Sequence, residues 1–420
     1  MRVSRRCGGC LISLPDNTGS PHVLIAGAGV GGLTAAIALA RRGWRITLIE
    51  RGDGNENIGA GLQLSPNASG ILRDLGLLPA LAEVGLAPDV IHIHRARDGA
   101  TLARLPLADA ERRWGAPYLN VHRGDLVRIL RETALADPNV SFHPQTALAG
   151  FEQTENGVRA VGLRGPMRIS FEADCLIGAD GVRSFVRARN AALQGKADEA
   201  PTQTRYAAWR TLVAAASVAE DMRLPDSNLW LGQGAHVVHY PLRVGKMINV
   251  VAVVDAREML DEKADLWSQK GDPAWIAARL AHWAPPIRDL VAKAAEWRVW
   301  PLIERETPAA WSHGRVALLG DAAHAMLPFL AQGAAQAIED AATLAAALDP
   351  GGDIVGALAA YSAKRAPRAA RVQSESRRQA RVYHLGLPAS LARDMVLRSL
   401  SFRLTHRYDW LYGAKNPIVP

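Results

Sequence analysis

Acid and glycine recur together at the ends of three short apolar runs. The first run, His22 to Ala26, leads into Gly27, Gly29 and Gly32, a G-x-G-x-x-G spacing completed by Val30 and Gly31. Glycine at these positions permits a tight turn, lets backbone amides approach a pyrophosphate, and lets the next helix pack closely on the sheet. That helix, from about Val30 to Arg42, turns its positive end toward the phosphate. The following strand closes on Glu50 and Arg51, roughly twenty residues past the turn, where a carboxylate can accept hydrogen bonds from a ribose. The second run (DCLIGADG) ends on Asp180-Gly181 and the third (RVALLGD) on Gly320-Asp321. A nicotinamide site needs only the first of these turns. FAD is longer, and Asp321 at a strand end can accept from ribityl hydroxyls. A helix starting near Gly333 and Ala334 points its N-terminus at the flavin's pyrimidine edge, where it stabilises the reduced anion.

The elements that position these turns read as α/β. Strand, turn and helix alternate at 22–51, 174–193 and 314–348. A second alternating block, from about Arg205 to Asp255, reads as antiparallel strands with helices from Asp272 to Ala295 behind it. Residues 89 to 107 alternate around an Asp98-Gly99 turn, and 147 to 169 around Glu155-Asn156-Gly157. The fold expected is a Rossmann-like FAD-binding domain with an inserted β-rich substrate lobe and a C-terminal helical segment. The FAD domain would take 21–88, 112–200 and 301–380, and the lobe 89–111 and 201–300. The tail would be 381–420, and 1–20 a disordered extension.

Bulk properties exclude several classes. The chain has 420 residues, 49% hydrophobic and 21% charged, a globular composition with room for about two to three domains. No apolar run approaches the roughly 18 residues that span a membrane. The net charge of +8 is mostly dispersed arginine. Its one concentration, Lys364 to Arg381, lacks aromatic interleaving and reads as a solvated helix face, so no nucleic-acid partner is expected. With three cysteines the chain suits a reducing compartment. Cys7 and Cys10 form a C-x-x-C ahead of the first strand, with no further ligands nearby for zinc. His92 and His94 share a strand face without a third ligand and read as surface or interface histidines; no metal site is expected. The arginine pair near the start precedes an apolar stretch too short for export, so the chain is expected to be cytoplasmic.

The motifs GAGVGG, GAGLQLSPNA (59–68), VHRGDL, GADGVRS and GDAAHAMLPFLAQGAAQAIEDA together resemble the single-component FAD-dependent aromatic hydroxylases. The likeness runs from about Pro21 to Gly413 and is nearest the branch of salicylate hydroxylase and 3-hydroxybenzoate 6-hydroxylase. One position departs: Ala325 follows His324 where the family usually has proline, though Pro328 remains. The resemblance implies that the first motif holds the ADP part of FAD. It also implies that Asp180-Gly181 touches FAD and NAD(P)H, that Gly320-Asp321 holds the ribityl chain, and that Arg123 contacts FAD. The implied reaction is reduction of FAD by NADH or NADPH, oxygen addition at flavin C4a, and transfer of one oxygen atom to an electron-rich ring.

Such chemistry requires exclusion of water and withdrawal of a phenolic proton. His236 and Tyr240 lie four apart on GAHVVHY, so they share one face, and they match a histidine–tyrosine pair lining the substrate pocket in that branch. His236 is expected to take the proton and Tyr240 to orient the substrate; a structural histidine is the competing reading. Gln63 either lines the flavin or holds its own loop. Arg210 either grips a substrate carboxylate or is structural. Pro328 stiffens the loop between flavin and substrate, and His324 shapes that loop. The partner expected is a small phenolic or hydroxybenzoate-like aromatic. An N-heteroaromatic, an alkene for epoxidation, a non-hydroxylating flavin sensor, and a homodimer all stay open.

Overall fold

The computed structural model describes residues 11–13, 20–54, 61–257 and 269–414. The Cys7–Cys10 pair and the first two residues of the 59–68 motif lie outside them. Two large sheets carry most of the site. The first has six strands in the order Ser312–His313, Val316–Leu318, Cys175–Gly178, His22–Ala26, Arg45–Ile49 and Val140–His143. All pairings are parallel except the outermost, between Ser312–His313 and Val316–Leu318. The central runs are mostly apolar because helices cover the sheet: Val23, Leu24, Ile25, Leu176, Ile177 and Val316 are fully buried. Chain order reverses between His22–Ala26 and Cys175–Gly178, the switch point at which open α/β sheets leave a ligand crevice.

The second sheet has eight strands, ordered Gln269–Gly271, Trp297–Glu304, Thr202–Ala214, Met247–Asp255, Ala235–Leu242, Ser227–Gly232, Val90–Arg95 and Thr101–Pro106. Only the pairing of Ser227–Gly232 with Val90–Arg95 is parallel. The Asp98-Gly99 turn closes its hairpin at the edge, with Arg95 held by Asp98 and Gly99 at φ +75°. One face packs Trp209, Trp230, Val237 and Trp297 against helices Pro273–Arg279 and Pro285–Ala292. The opposite face looks toward the 328–331 loop and the C-terminal helices.

A third, four-stranded sheet contains Ala147–Gln153, Val158–Arg164 and Met167–Ala173, joined by Leu11–Ser13 in parallel with the last. The N-terminal extension is therefore not wholly disordered. Met167–Ala173 would otherwise be an edge strand with unpaired backbone groups, and three residues of the extension satisfy them.

The basic run also differs from a solvated face. It lies on helix Ile354–Tyr383, where Arg365 is only 2% exposed and Arg368 is half-buried. Both meet carboxylates on helix Gly333–Ala347, because Glu339 and Asp340 are fully buried and need cationic partners.

Candidate active site

The glycine turn divides its labour by position. A Cβ on Gly27 would lie 2.2 Å from the Ala179 carbonyl oxygen, and one on Gly32 would lie 1.9 Å from that of Gly27. A Cβ on Gly31 would strike Leu319 and Ala337, so its role in the fold is packing. A Cβ on Gly29 would meet nothing within 4 Å. Helix Val30–Ala40 begins there with no capping side chain and no acid in its first turn, so its first amides face open space. Glu50 braces the turn, accepting from the Ala28 and Gly52 amides at 2.8 Å each. Arg51 is exposed beside it, and Arg123 opens helix Arg123–Leu135.

The other two turns are held to each other. Asp180 caps the entry to helix Phe185–Leu193, accepting from Ser184 Oγ at 2.5 Å and the Val186 amide at 3.0 Å. Burial raises its pKa against the pull of these donors. Gly181 has φ +81° and Gly320 φ +63°, conformations suited to glycine. Buried Arg187 donates to the Ala323 carbonyl and buried Arg305 to that of Val182, so two guanidiniums tie the turns together. Asp321 is exposed at the start of the short helix Asp321–His324, and its carboxylate has no hydrogen bond to the protein among the described residues.

Beneath this turn runs a buried polar network. Asp340 accepts from the Gly320 amide (2.9 Å), His324 Nε2 (2.6 Å) and Arg365 Nε (2.6 Å). Glu339 accepts from Arg365, Arg368 and Asn67. Both carboxyls are held below their ordinary pKa, the arginines, His324 and Asn67 overcoming the opposing effect of burial. Ser65 stands at the N-cap of helix Pro66–Asp74, and its hydroxyl, rather than capping, joins Asn67 and Gln332 in the same network. Gln373 holds the Ala325 carbonyl and Ser376 that of Leu327, while Ala325 sits at φ −47°. The long helix thus supplies the restraint that a proline would otherwise give. Helix Gly333–Ala347 then starts uncapped, with open space over Gly333, beside Ala334.

A cavity of about 130 Å³ opens between the eight-stranded sheet, the 328–331 loop and the C-terminal helices. A cavity near 150 Å³ accepts a benzene ring, so the scale suits one aromatic ring. Its walls are aliphatic on the sheet side (Ile91, Ile93, Leu229, Leu231, Val238) and aromatic on the other (Phe329, Tyr383, Tyr408, Tyr412). His236, Gln63 and Pro328 line it; Tyr240 and Arg210 do not. The strand alternation does put His236, Val238 and Tyr240 on one face, but Tyr240 lies farther along, against Gly61, whose Cβ position is 2.7 Å from the phenol oxygen. Arg210 crosses over Trp300, 5.4 Å from the ring centre, and burial lowers its pKa while Tyr240 raises it. His236 Nδ1 stands 2.9 Å from His384 Nε2, and burial, then His384, lower its pKa well below the ordinary imidazole value. His239, on the other face, has neither ring nitrogen bonded among the described residues and is lowered to about 3 by burial.

A family model described as an FAD binding domain matches residues 21–376. The 3-hydroxybenzoate 6-hydroxylase of Klebsiella oxytoca is 34% identical over 398 residues, 94% of this chain and 97% of the relative. The 3-amino-4-hydroxybenzoate 2-monooxygenase of Streptomyces cremeus is 38% identical over 396 residues, covering 93% and 95%. This chain belongs to the FAD-dependent aromatic hydroxylases. A salicylate hydroxylase solved with its substrate superposes on the hydroxylase with TM-score 0.80 at 25% identity, over 94% of this chain and 96% of that one. The hydroxylase binds FAD, and the residues present fit it. Open amides stand at Gly29 and over Gly333, an available carboxylate stands at Asp321, and glycine lies wherever the backbone must pass closely.

Several functional groups of the hydroxylase escaped the sequence reading. Eight cavity residues, from Gln379 to Tyr412, come from the end of the long helix and the tail. The YDWLYG stretch was the available signal, since aromatic residues clustered in a polar tail want a surface to cover. His384 carried no signal, because only the fold brings it to His236. His92 and His94 are structural: His92 Nε2 lies 3.0 Å from Asp226, and His94 stacks on Trp230. No helix among the described residues is long and apolar enough to cross a membrane.

Proposed function

We propose that this hydroxylase oxidises a phenolic aromatic carboxylate, its ring hydroxyl toward His236 and its carboxylate toward Arg407. The observation that carries the reading is the cavity wall. It is apolar and ring-sized, with an imidazole at one side and, among the described residues, a single cationic side chain at the mouth. Arg407 is exposed on helix Leu404–Arg407 and donates to Gln379 at 3.4 Å, which leaves donors for a carboxylate. Arg210 does not line the cavity, so the carboxylate role passes from it to Arg407.

FAD, reduced by NAD(P)H, supplies the activated oxygen atom when bound. The chain's own residues then do four things. The aliphatic sheet face and the tail's aromatic rings keep water from the ring. His236 accepts the phenolic proton, making the ring a stronger nucleophile. Gln63 donates to Ser227 Oγ at 3.1 Å and spans from the cofactor side to the cavity wall. Tyr240, with burial holding its hydroxyl protonated, keeps a donor hydrogen beside that wall.

A screen of monohydroxybenzoates, hydroxypyridine carboxylates and their decarboxylated analogues tests this, scoring NADH consumption and oxygen-18 incorporation from dioxygen. Phenolic carboxylates should give coupled product. Equal turnover of the decarboxylated analogues refutes the Arg407 assignment, and labelled product from a substrate lacking a ring hydroxyl refutes the phenol reading.

A further inference from the structure

Helix Ala389–Ser399, which follows the long helix, is inverted: its ion pair faces inward and its large apolar side chains face water. Arg393 and Asp394 are 8% and 4% exposed and bonded to each other at 2.9 Å. Arg393 also donates to the Val382 and Tyr383 carbonyls at the end of the long helix, and Asp394 lies 3.5 Å from Arg95 in the eight-stranded sheet. Leu397 turns toward the cavity. On the outside Leu391, Met395 and Val396 are 53%, 67% and 55% exposed, with Leu387 and Leu400 exposed just beyond the two ends. A surface helix ordinarily shows the reverse, an apolar stripe toward the core and charge toward solvent. Lone exposed apolar residues are ordinary, and elsewhere in the described chain they stand singly or in pairs. Five between Leu387 and Leu400 make a patch that calls for a partner.

The charge around this face says which partner. From Arg377 to Tyr408 the chain carries seven arginines and one acid, Asp394. That acid is engaged by Arg393 and Arg95, and Asp98, which shares Arg95 with it, is engaged likewise. Arg378, Arg381 and Arg398 are exposed. Two copies joined through this face would bring cations together with no carboxylate on it to answer them, which disfavours self-pairing. An anionic bilayer answers both features: its headgroup boundary takes up apolar side chains, and its phosphates attract flanking arginines. The net charge of +8 acts in the same direction.

We propose that helix Ala389–Ser399 seats the hydroxylase on an anionic phospholipid surface. Leu391, Met395 and Val396 enter the boundary between headgroups and acyl chains, and Arg398 with the neighbouring exposed arginines meets the phosphates. The helix lies in the surface rather than across it: its 11 residues span about 16 Å, roughly half of a hydrocarbon core. Composition excludes a spanning segment, and an interfacial one needs no such length. The seated face adjoins the substrate chamber, because Leu397 on the helix's inner side and Leu404 and Arg407 just after it line the cavity. Bilayer contact therefore covers the side of the chamber that the tail closes. The inference goes beyond the choice of substrate and does not depend on it.

The test floats the FAD-loaded, full-length enzyme with vesicles of phosphatidylglycerol and phosphatidylcholine in equal parts, and with vesicles of phosphatidylcholine alone. The enzyme should rise with the anionic vesicles at low salt and be released at about 1 M salt, where the Debye length is about 3 Å. Leu391→Asp with Met395→Asp should lower the bound fraction about tenfold or more. FAD content and melting temperature should hold in that variant, since neither side chain lines the cavity and both already face water. Leu391→Ser with Met395→Ser repeats the comparison without adding charge. Arg398→Glu should lower the bound fraction about fivefold or more. Equal flotation on phosphatidylcholine alone overturns the anionic assignment. Equal binding by wild type and both double variants assigns binding to overall charge and overturns the proposal. Absence of flotation overturns it too. Light scattering at twice the 45.1 kDa chain mass, lost in Leu391→Asp with Met395→Asp, then gives the face to a second copy, and a monomer gives it to a cover from the chain itself.

Discussion

The buried histidines make stability depend on pH below the ordinary imidazole value. His239 is lowered to about 3 and His384 to about 4, chiefly by burial, from an ordinary value near 6.5. Their folded pKa values lie below the unfolded ones, so between pH 6.5 and 4 the unfolded chain binds protons that the native protein does not. Stability therefore falls as pH drops through 6.5. From pH 7.0 to 5.5 each such group removes about 1.3 kcal/mol, and the two together about 2.5 kcal/mol. His236 adds a loss of the same sign. Glu339 and Asp340 act only at lower pH, because their depressed values keep them ionised throughout this range. Urea unfolding of the FAD-loaded protein at both pH values, at constant ionic strength, reads the difference. His239→Leu, which fills the same site without a titrating ring, should shrink the pH difference by about 1.3 kcal/mol. An unchanged pH difference in that variant, or no difference in the parent, refutes the assignment.

Four further outcomes follow from the site. Gly29→Ala should leave the apoprotein's melting temperature intact yet weaken FAD binding about 10-fold, or 1.4 kcal/mol, since its Cβ enters only the cofactor's space. Gly32→Ala should instead lower the melting temperature, its Cβ meeting backbone; flavin fluorescence and calorimetry separate the two. Asp340→Asn should cost about 3–5 kcal/mol by leaving Arg365 short of a buried counter-charge, and should accelerate flavin release because the Gly320 amide loses its acceptor. Arg407→Ala should raise KM for phenolic carboxylates about 10-fold or more, with kcat nearly constant, when initial rates are compared.

The cofactor half was legible because its constraints are local. Gly27 and Gly32 each answer to backbone atoms within one turn or the adjacent strand, while Gly29 faces open space beside them. Asp321 and Glu50 were legible for the same reason, each closing a run of strand-like residues. The substrate half depends on residues that meet only in three dimensions. His236 could be placed on a face by alternation, but alternation could not say that Tyr240 lies beyond the cavity or that His384 arrives from the far end of the chain. The basic run misled because its partners, Glu339 and Asp340, sit in a helix whose alanines gave no sign of a buried charge.

Arg368 touches both halves: it donates twice to Glu339, under the cofactor turn, and to the backbone carbonyls of Trp410 and Leu411, between the cavity-lining Tyr408 and Tyr412. A ribosome delivers the two ends of this arginine's contacts at different times. The six-stranded sheet is complete once Val316–Leu318 has emerged, and the long helix follows, whereas Tyr408 and Tyr412 emerge only after both. Through most of its synthesis the growing chain can shape a place for the cofactor but not an enclosed chamber for the substrate. The chamber closes only when the tail folds back onto a helix that is already in place.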